Sequence, residues 1–294
     1  MHPVVMAHLI QRATVLGTGL IGGSFAKALR KYTPDIHIAG WDRREVAGDA
    51  GKSGAVHEAF SGSLDVALRG SDLVYIALPI GATLDLLPEI ARHAPAHALV
   101  TDACSTKFRV TTSAAELFPE QGGPLFLGGH PMSGRELSGF AHADADLFRN
   151  ASYALTGPVS DDRDPRVSAF IQILEKMGAR PLWIGAQQHD YAVGLASHLP
   201  QLAAVALGSF LYDRLDENGL PITLAGPGLR DSLRLAGSPY ATWRDIVLTN
   251  REVLSAALDL FARRLDDIRE RLGSRDLEAD FDAANVLYKL LRSL

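Results

Sequence analysis

Apolar residues recur along the first half of the chain in short β-rich runs, Ala13–Gly17, Ile36–Trp41, Leu73–Leu78 and Ala98–Asp102, with helical or loop patterns between them. Strands of this kind separated by crossovers predict a mostly parallel sheet with helices on both faces, a doubly wound α/β architecture. Past Pro124 the runs Leu125–Gly128, Tyr153–Thr156 and Pro181–Ile184, with a helix over Val167–Met177 and a polar, Pro-flanked stretch through Pro165, continue the strand, helix, strand order. The first domain is therefore expected to span 1–185. From Ala186 the period changes: Leu195, Leu199, Leu202, Ala206 and Ser209, and later Val247, Leu254, Leu258 and Phe261, recur at helical spacing. A second, all-helical domain over 186–294 follows from this pattern. Within it, Leu199–Leu211 reads as a buried helix, Leu220–Pro239 as a Pro- and Gly-rich loop between helices, and the charged Arg263–Arg275 as a solvated face.

Composition narrows the class. The 294 residues carry 29 Lys+Arg against 34 Asp+Glu, a net charge of −5, which argues against a polyanion binder. A hydrophobic fraction of 47% supports a normal core. The single Cys104 can form neither an internal disulfide nor a thiolate metal site, which suits a reducing, cytoplasmic compartment. The first twelve residues lack the basic-then-apolar order of a signal peptide, and no run reaches the roughly 18 apolar residues expected of a membrane span.

The first strand runs into Gly17-Thr-Gly19-Leu20-Ile21-Gly22-Gly23-Ser24, which opens a helical segment. Glycines let the backbone approach a pyrophosphate, whose charge meets the unpaired N–H groups and positive dipole end of the helix. Asp42 lies 20 residues past Gly22, at the end of the second strand, where a carboxylate accepts from ribose hydroxyls. Strand before, helix after and acid beyond predict a Rossmann-type nucleotide domain that binds NAD through Gly17, Gly19, Leu20, Ile21, Gly22, Asp42, Arg43 and Pro79. Arg43 and Arg44 leave NADP possible.

Three later clusters carry polar groups that a scaffold does not require: Asp102–Lys107 (DACSTK) after a strand, Gly128–Gly134 (GGHPMSG) after another, where the glycines and proline predict a tight turn presenting His130, and Ser197–Pro200 (SHLP) with Arg230–Ala236 (RDSLRLA) in the helical half. With His189-Asp190, Trp243–Ile246 and Asn250, these motifs run in one order from Gly17 to Asn250. The chain resembles the prephenate/arogenate dehydrogenase (TyrA) family. The resemblance implies oxidative decarboxylation of a cyclohexadienyl dicarboxylate to an aromatic product, and helical domains that interlock in a homodimer.

The chemistry can be argued beside that resemblance. Taking hydride from a hydroxyl-bearing ring carbon is helped by a base for the hydroxyl proton, and an imidazole is tuned for this near neutral pH. Loss of CO2 to give a phenol needs no metal, and no metal-ligand spacing occurs among the ten histidines. By resemblance His130 is that base or hydrogen-bond partner, its alternative being a turn-capping histidine. Ser105 orients it, or caps the following helix. Arg230 grips a substrate carboxylate. His198 faces the cleft or is a satisfied core histidine. Gln201, where many members carry a second histidine, is placed near the substrate side chain and leaves prephenate against arogenate open. Arg135 departs from the small hydroxylated residue expected there. Arg234 and Lys107 are as well explained as surface cations, and His189-Asp190 as structural residues of the domain junction.

The chain ends soon after its last helices, so neither a fused mutase nor an appended regulatory domain is expected. Two rivals remain: another two-domain NAD(P)-dependent dehydrogenase of the β-hydroxyacid or imine-reducing type, and a non-catalytic dinucleotide sensor.

Overall fold

The computed structural model describes residues 9–119, 121–134, 137–157, 164–215 and 219–293. Eight strands form one sheet: β1 (Arg12–Leu16), β2 (His37–Trp41), β3 (Glu58–Phe60), β4 (Leu73–Ile76), β5 (Leu99–Asp102), β6 (Leu125–Pro131), β7 (Ser152–Thr156) and β8 (Arg180–Trp183). Their order is β3-β2-β1-β4-β5-β6-β7-β8, every pairing parallel except β6 with β7. The doubly wound α/β fold expected from the sequence is present. The three-residue edge strand β3 carries no apolar run and was not foreseen.

Alternation along the strands divides the core. Val15, Leu73, Tyr75 and Leu99 face one apolar layer, where Tyr75 stacks on Phe25 of α1 (Leu20–Tyr32) at 3.8 Å. Their neighbours Leu16, Val74, Ile76 and Val100 face the other, against α3 (Leu64–Leu68), α4 (Ile80–His93) and α5 (Phe108–Leu117). A strand covered on both faces buries every residue, so it reads as a continuous apolar run. The remaining helices of this half are α2 (Arg44–Lys52) and α6 (Pro165–Lys176), the latter capped by Asp164.

In the helical half, α7 (Ala186–Val193), one wide π turn (Gly194–His198) and α8 (Leu199–Tyr212) form a continuous helix. Pro200 has no N–H to return to the Ala196 carbonyl, and such a gap in the ladder is where a helix widens. The helix is 27 residues long and holds an 18-residue window of mean hydropathy 1.3, long and apolar enough to cross a membrane, which the interrupted sequence did not suggest. Its His189, Asp190, His198 and Gln201 are buried and bonded to the rest of the chain. The expectation of a buried α8 is corrected: only Gln201 and Ala204 are buried in it, while Val205 is 43% and Phe210 50% exposed. A single chain offers no second layer to cover that face.

Leu220–Pro239 is not a loop either. It forms α9 (Leu220–Thr223), α10 (Pro227–Leu233) and a 3-10 turn (Arg234–Gly237), because Pro221 and Pro227 stand in first turns, where a missing N–H costs nothing. The helices α11 (Tyr240–Thr249), α12 (Arg251–Glu270) and α13 (Glu278–Arg292) complete the chain, α13 with no buried residue.

Candidate active site

The sheet order reverses between β1 and β4, so the chain leaves adjacent strands in opposite directions and opens a crevice at their carboxyl ends. Gly17 takes φ +88°, and a Cβ there would lie 2.5 Å from the Ala77 carbonyl oxygen, while one on Gly22 would lie 1.9 Å from that of Gly17. Gly19 faces open space and no side chain caps α1. The first N–H groups of α1, from Leu20 and Ile21 onward, therefore remain available to an anion. The Asp42 carboxylate accepts from the Thr18 and Arg43 backbone N–H groups, both at 2.7 Å, which turns it toward the loop. Arg43 and Arg44 are exposed beside it, and Pro79 stands exposed at the start of α4, two residues past the Gly17 contact. The residues expected to bind the cofactor thus line one crevice, and the close-packed glycines with an uncapped helix fit a dinucleotide.

Two strands further along, Asp102 and Lys107 form a completely buried ion pair. The pair tolerates burial because its other bonds are also made. Asp102 accepts from the Cys104 and Gly129 N–H groups, each at 3.0 Å, and Lys107 Nζ donates to the Gly129 carbonyl at 2.6 Å. Both polar groups of Gly129 are therefore clamped, and a Cβ at that position would lie 2.5 Å from the Asp102 carbonyl oxygen. Lys107 is thus not a solvent lysine.

GGHP is not a turn but the last part of β6. That strand outruns β5, whose register ends at Thr101 with Leu127, and its tip pairs with β7 through Pro131 and Tyr153. The tip has one free edge, where proline is tolerated. His130 consequently projects from a clamped strand rather than a loop.

His130 Nδ1 lies 2.9 Å from His189 Nε2, and His189 Nδ1 lies 2.8 Å from Asp190 Oδ1. Asp190 also accepts from the backbone N–H groups of Lys107 at 2.6 Å and Phe108 at 2.9 Å. It is therefore the cap of α5, and Ser105, offered as a cap, is not; nor does Ser105 hydrogen-bond His130 among the described residues. Removal from water, reinforced by His189, Lys107 and His198, holds the His130 imidazole well below its ordinary pKa. It is a neutral ring at neutral pH.

His198 is buried and packs edge-on to Trp243 at 5.7 Å. Asn250 donates through its side-chain amide to His198 Nδ1 at 3.1 Å and to the Asp190 carbonyl at 2.9 Å. Burial lowers His198 to about 4. Two further bonds join the halves: Asp245 accepts from the Gly81 N–H at the start of α4, at 2.9 Å, and Thr106 meets Thr249 at 2.7 Å. Asp190, Asn250 and Asp245 were not singled out as site residues, although each stands in a quoted motif; nothing in a motif says which distant helix end it will meet.

The structure does not bring Arg230 to His130 within one chain. Arg230 is exposed on α10 and has no ion-pair partner among the described residues. The segment it begins packs along α8 near Gly208, where Leu233 approaches, about 15 Å along the helix from His198. Gln201 is buried, and its amide donates to the Leu235 carbonyl at 2.9 Å, tying α8 to that segment rather than standing open to a ligand. Two surface cavities lie elsewhere: one of about 430 Å³ beside Tyr32, Asp35 and Lys176, the other beside Phe108, Thr111 and Gln188, and neither includes His130, His198 or Arg230. Arg135 lies outside the described residues.

Comparison with known proteins places this geometry. Residues 25–182 match the family described as prephenate dehydrogenase, nucleotide-binding domain, and residues 185–287 that described as prephenate dehydrogenase, dimerization domain. The chain is 34% identical to the prephenate dehydrogenase of Lactococcus lactis over 272 residues, 92% of this chain and 73% of that one. It is also 34% identical to the Bacillus subtilis enzyme of the same name, over 89% of this chain and 70% of that one. Among solved structures, prephenate dehydrogenase from A. aeolicus in complex with hydroxyphenyl propionate and NAD+ superposes with a TM-score of 0.85 at 26% identity, covering 97% of this chain and 98% of that one.

Proposed function

Because this chain belongs to the prephenate dehydrogenase family, we propose that it converts prephenate to 4-hydroxyphenylpyruvate by NAD-dependent oxidative decarboxylation, with arogenate as the alternative substrate of the same site. The observation that carries this reading is the meeting, at one edge of one sheet, of a dinucleotide crevice and a neutral imidazole.

NAD, when bound, accepts the hydride from the hydroxyl-bearing ring carbon. The chain's own residues do the rest. His130 accepts the hydroxyl proton on Nε2, the nitrogen left open by the His189 contact. Ser105, half-buried two residues before Lys107, lies at the same strand edge and contacts the hydroxyl or the nicotinamide. The buried Asp102–Lys107 pair holds the His130 backbone still, which fixes the reacting geometry before substrate arrives. Cleavage of the bond to the ring carboxylate releases CO2, and its electrons complete an aromatic ring that takes up a proton to become the phenol. Asp42 favours NAD, and the exposed Arg43 and Arg44 support a weaker use of NADP.

Arg230 supplies the carboxylate clamp, His198 the wall of the pocket beside Trp243, and Gln201 the anchor of the Arg230 segment. A homodimer closes the site. The apolar faces of α8 and α13 are what a second copy would cover, and exposed apolar surface of this extent marks an interface. The cytoplasm suits an enzyme with one cysteine, buried and unpaired.

The test is an assay of NAD reduction and CO2 release with prephenate and, separately, with arogenate. Reduction with either substrate, lowered about 1,000-fold in His130→Asn while NAD binding persists, is the expected result. Cofactor binding without reduction of either kind would make the protein a sensor.

A further inference from the structure

Resting on the assignment of His130 as the base, we infer that His189 and Asp190 form a positioning relay that fixes the tautomer and ring orientation of His130. Asp190, as a carboxylate, only accepts, so the His189 Nδ1 that faces it at 2.8 Å carries the proton. His189 Nε2 is then the acceptor, and the His130 Nδ1 at 2.9 Å carries the proton between them. The lone pair of His130 is thereby placed on Nε2, away from the relay. When His130 takes the substrate proton there, the Nδ1–H bond to His189 keeps the ring in place. The logic is that of an acid behind an imidazole, in which the acid orients the ring and selects its tautomer without itself being protonated.

The carboxylate is itself anchored. Two backbone N–H groups at the start of α5 donate to it, the helix end that favours negative charge. Its own main-chain carbonyl accepts from Asn250 at the head of α12. His189 and Asp190 belong to α7, the first helix of the helical half, whereas His130 lies at the tip of β6. The base of the nucleotide-binding half is therefore set by residues of the other half, and correct only while the two are docked.

The test is a double-mutant cycle with a conservative rescue. His189→Leu removes the acceptor and is expected to lower kcat about 100-fold, with KM for prephenate and the NAD dissociation constant within about twofold. His189→Gln, which can offer a carbonyl oxygen to Nδ1–H, is expected to recover most of that loss. In a His130→Asn background, His189→Leu should cost nothing further, because the relay acts only through that ring. A loss that adds in full to the His130→Asn loss, or an unchanged kcat in the single variant, overturns the relay while leaving the base assignment intact. Turnover unchanged in His130→Asn overturns both. Should His189→Leu fail to fold, the unmodified protein decides: the 15N-histidine spectrum must show His130 protonated on Nδ1, and protonation on Nε2 overturns the inference.

Discussion

In the nucleotide-binding half the central strands are covered on both faces, and Val15, Leu16, Tyr75, Ile76 and Val100 have no exposed surface. In the helical half the buried apolar residues, among those described, are Val193, Ala204, Ile246, Leu254 and Ala257, while Leu224 is 80% and Phe281 68% exposed. Both halves carry abundant apolar residues, but they bury them to different extents. A doubly wound sheet closes its own core, because each crossover lays a helix back on the strands it connects. A row of helices with apolar stripes has no such closure and waits for another layer. The first half is a finished domain; the second leaves apolar helix faces uncovered within one chain, the surface on which the proposed homodimer rests.

Charging the waiting face should break the comparison most visibly. Val286 and Leu290 stand exposed on α13, and Val286→Asp with Leu290→Asp should weaken self-association by about 4 kcal/mol, three decades in dissociation constant. Sedimentation velocity would show the species halve in mass while the nucleotide half keeps its NAD affinity. An unchanged sedimentation coefficient would remove α13 from the interface.

Acid should act on the seam next. The His198 imidazole takes a proton near 4 in the folded chain and near 6.5 when unfolded. Its contribution is therefore fully present above about pH 6.5 and is lost as pH falls, by about 3 kcal/mol at pH 4. Urea unfolding at pH 7 and pH 4 measures this, and His198→Asn should flatten that part of the slope. An equal slope in the variant would assign the acid sensitivity elsewhere.

Arg230→Gln tests whether the helical half supplies binding while the nucleotide half supplies chemistry. Loss of a charge-assisted grip of about 2 kcal/mol should raise KM roughly 30-fold with kcat nearly constant. A fall in kcat at unchanged KM would contradict that division.

The smallest effect comes from a matched pair of glycines. A Cβ on Gly194 would lie 2.6 Å from Val253 Cγ1, whereas one on Gly48 in α2 meets nothing within 4 Å. Gly194→Ala should destabilise by about 1 kcal/mol, the clash exceeding the gain in helix propensity, and Gly48→Ala should stabilise by up to about 1 kcal/mol. Thermal melts of the two variants should shift in opposite directions.

Much of the fold was legible because its signals are local. Buried parallel strands announce themselves as apolar runs, and the glycine loop with Asp42 has a fixed spacing set by one strand, one helix and a second strand. Strand β3 escaped because an exposed three-residue edge needs no apolar run. The helices α9 and α10 escaped because proline reads as a breaker, although it also starts helices. GGHP was read as a turn because glycine and proline mark turns, whereas here two glycines serve close contacts with Asp102 and Thr156.

The candidate site divides in the same way. His130, the crevice glycines and Arg230 were proposed from residue type and motif, since imidazole, glycine and guanidinium each suit a narrow set of tasks; the structure places the glycines and His130 at one sheet edge and leaves Arg230 exposed on α10. The environment of Lys107 was not legible, because nothing in DACSTK says that its ammonium will be sealed against Asp102 and the Gly129 carbonyl. Nor does the pair His189-Asp190 say that its carboxylate will cap a helix beginning more than eighty residues earlier. The linear chain determined the parallel sheet, the nucleotide crevice and the kind of chemistry available, all of which depend on neighbours within a few turns or one crossover. Tertiary structure alone decided which charges are buried, which helix ends are capped and how His130 is oriented, because those depend on groups brought together from distant positions and on the water that packing excludes.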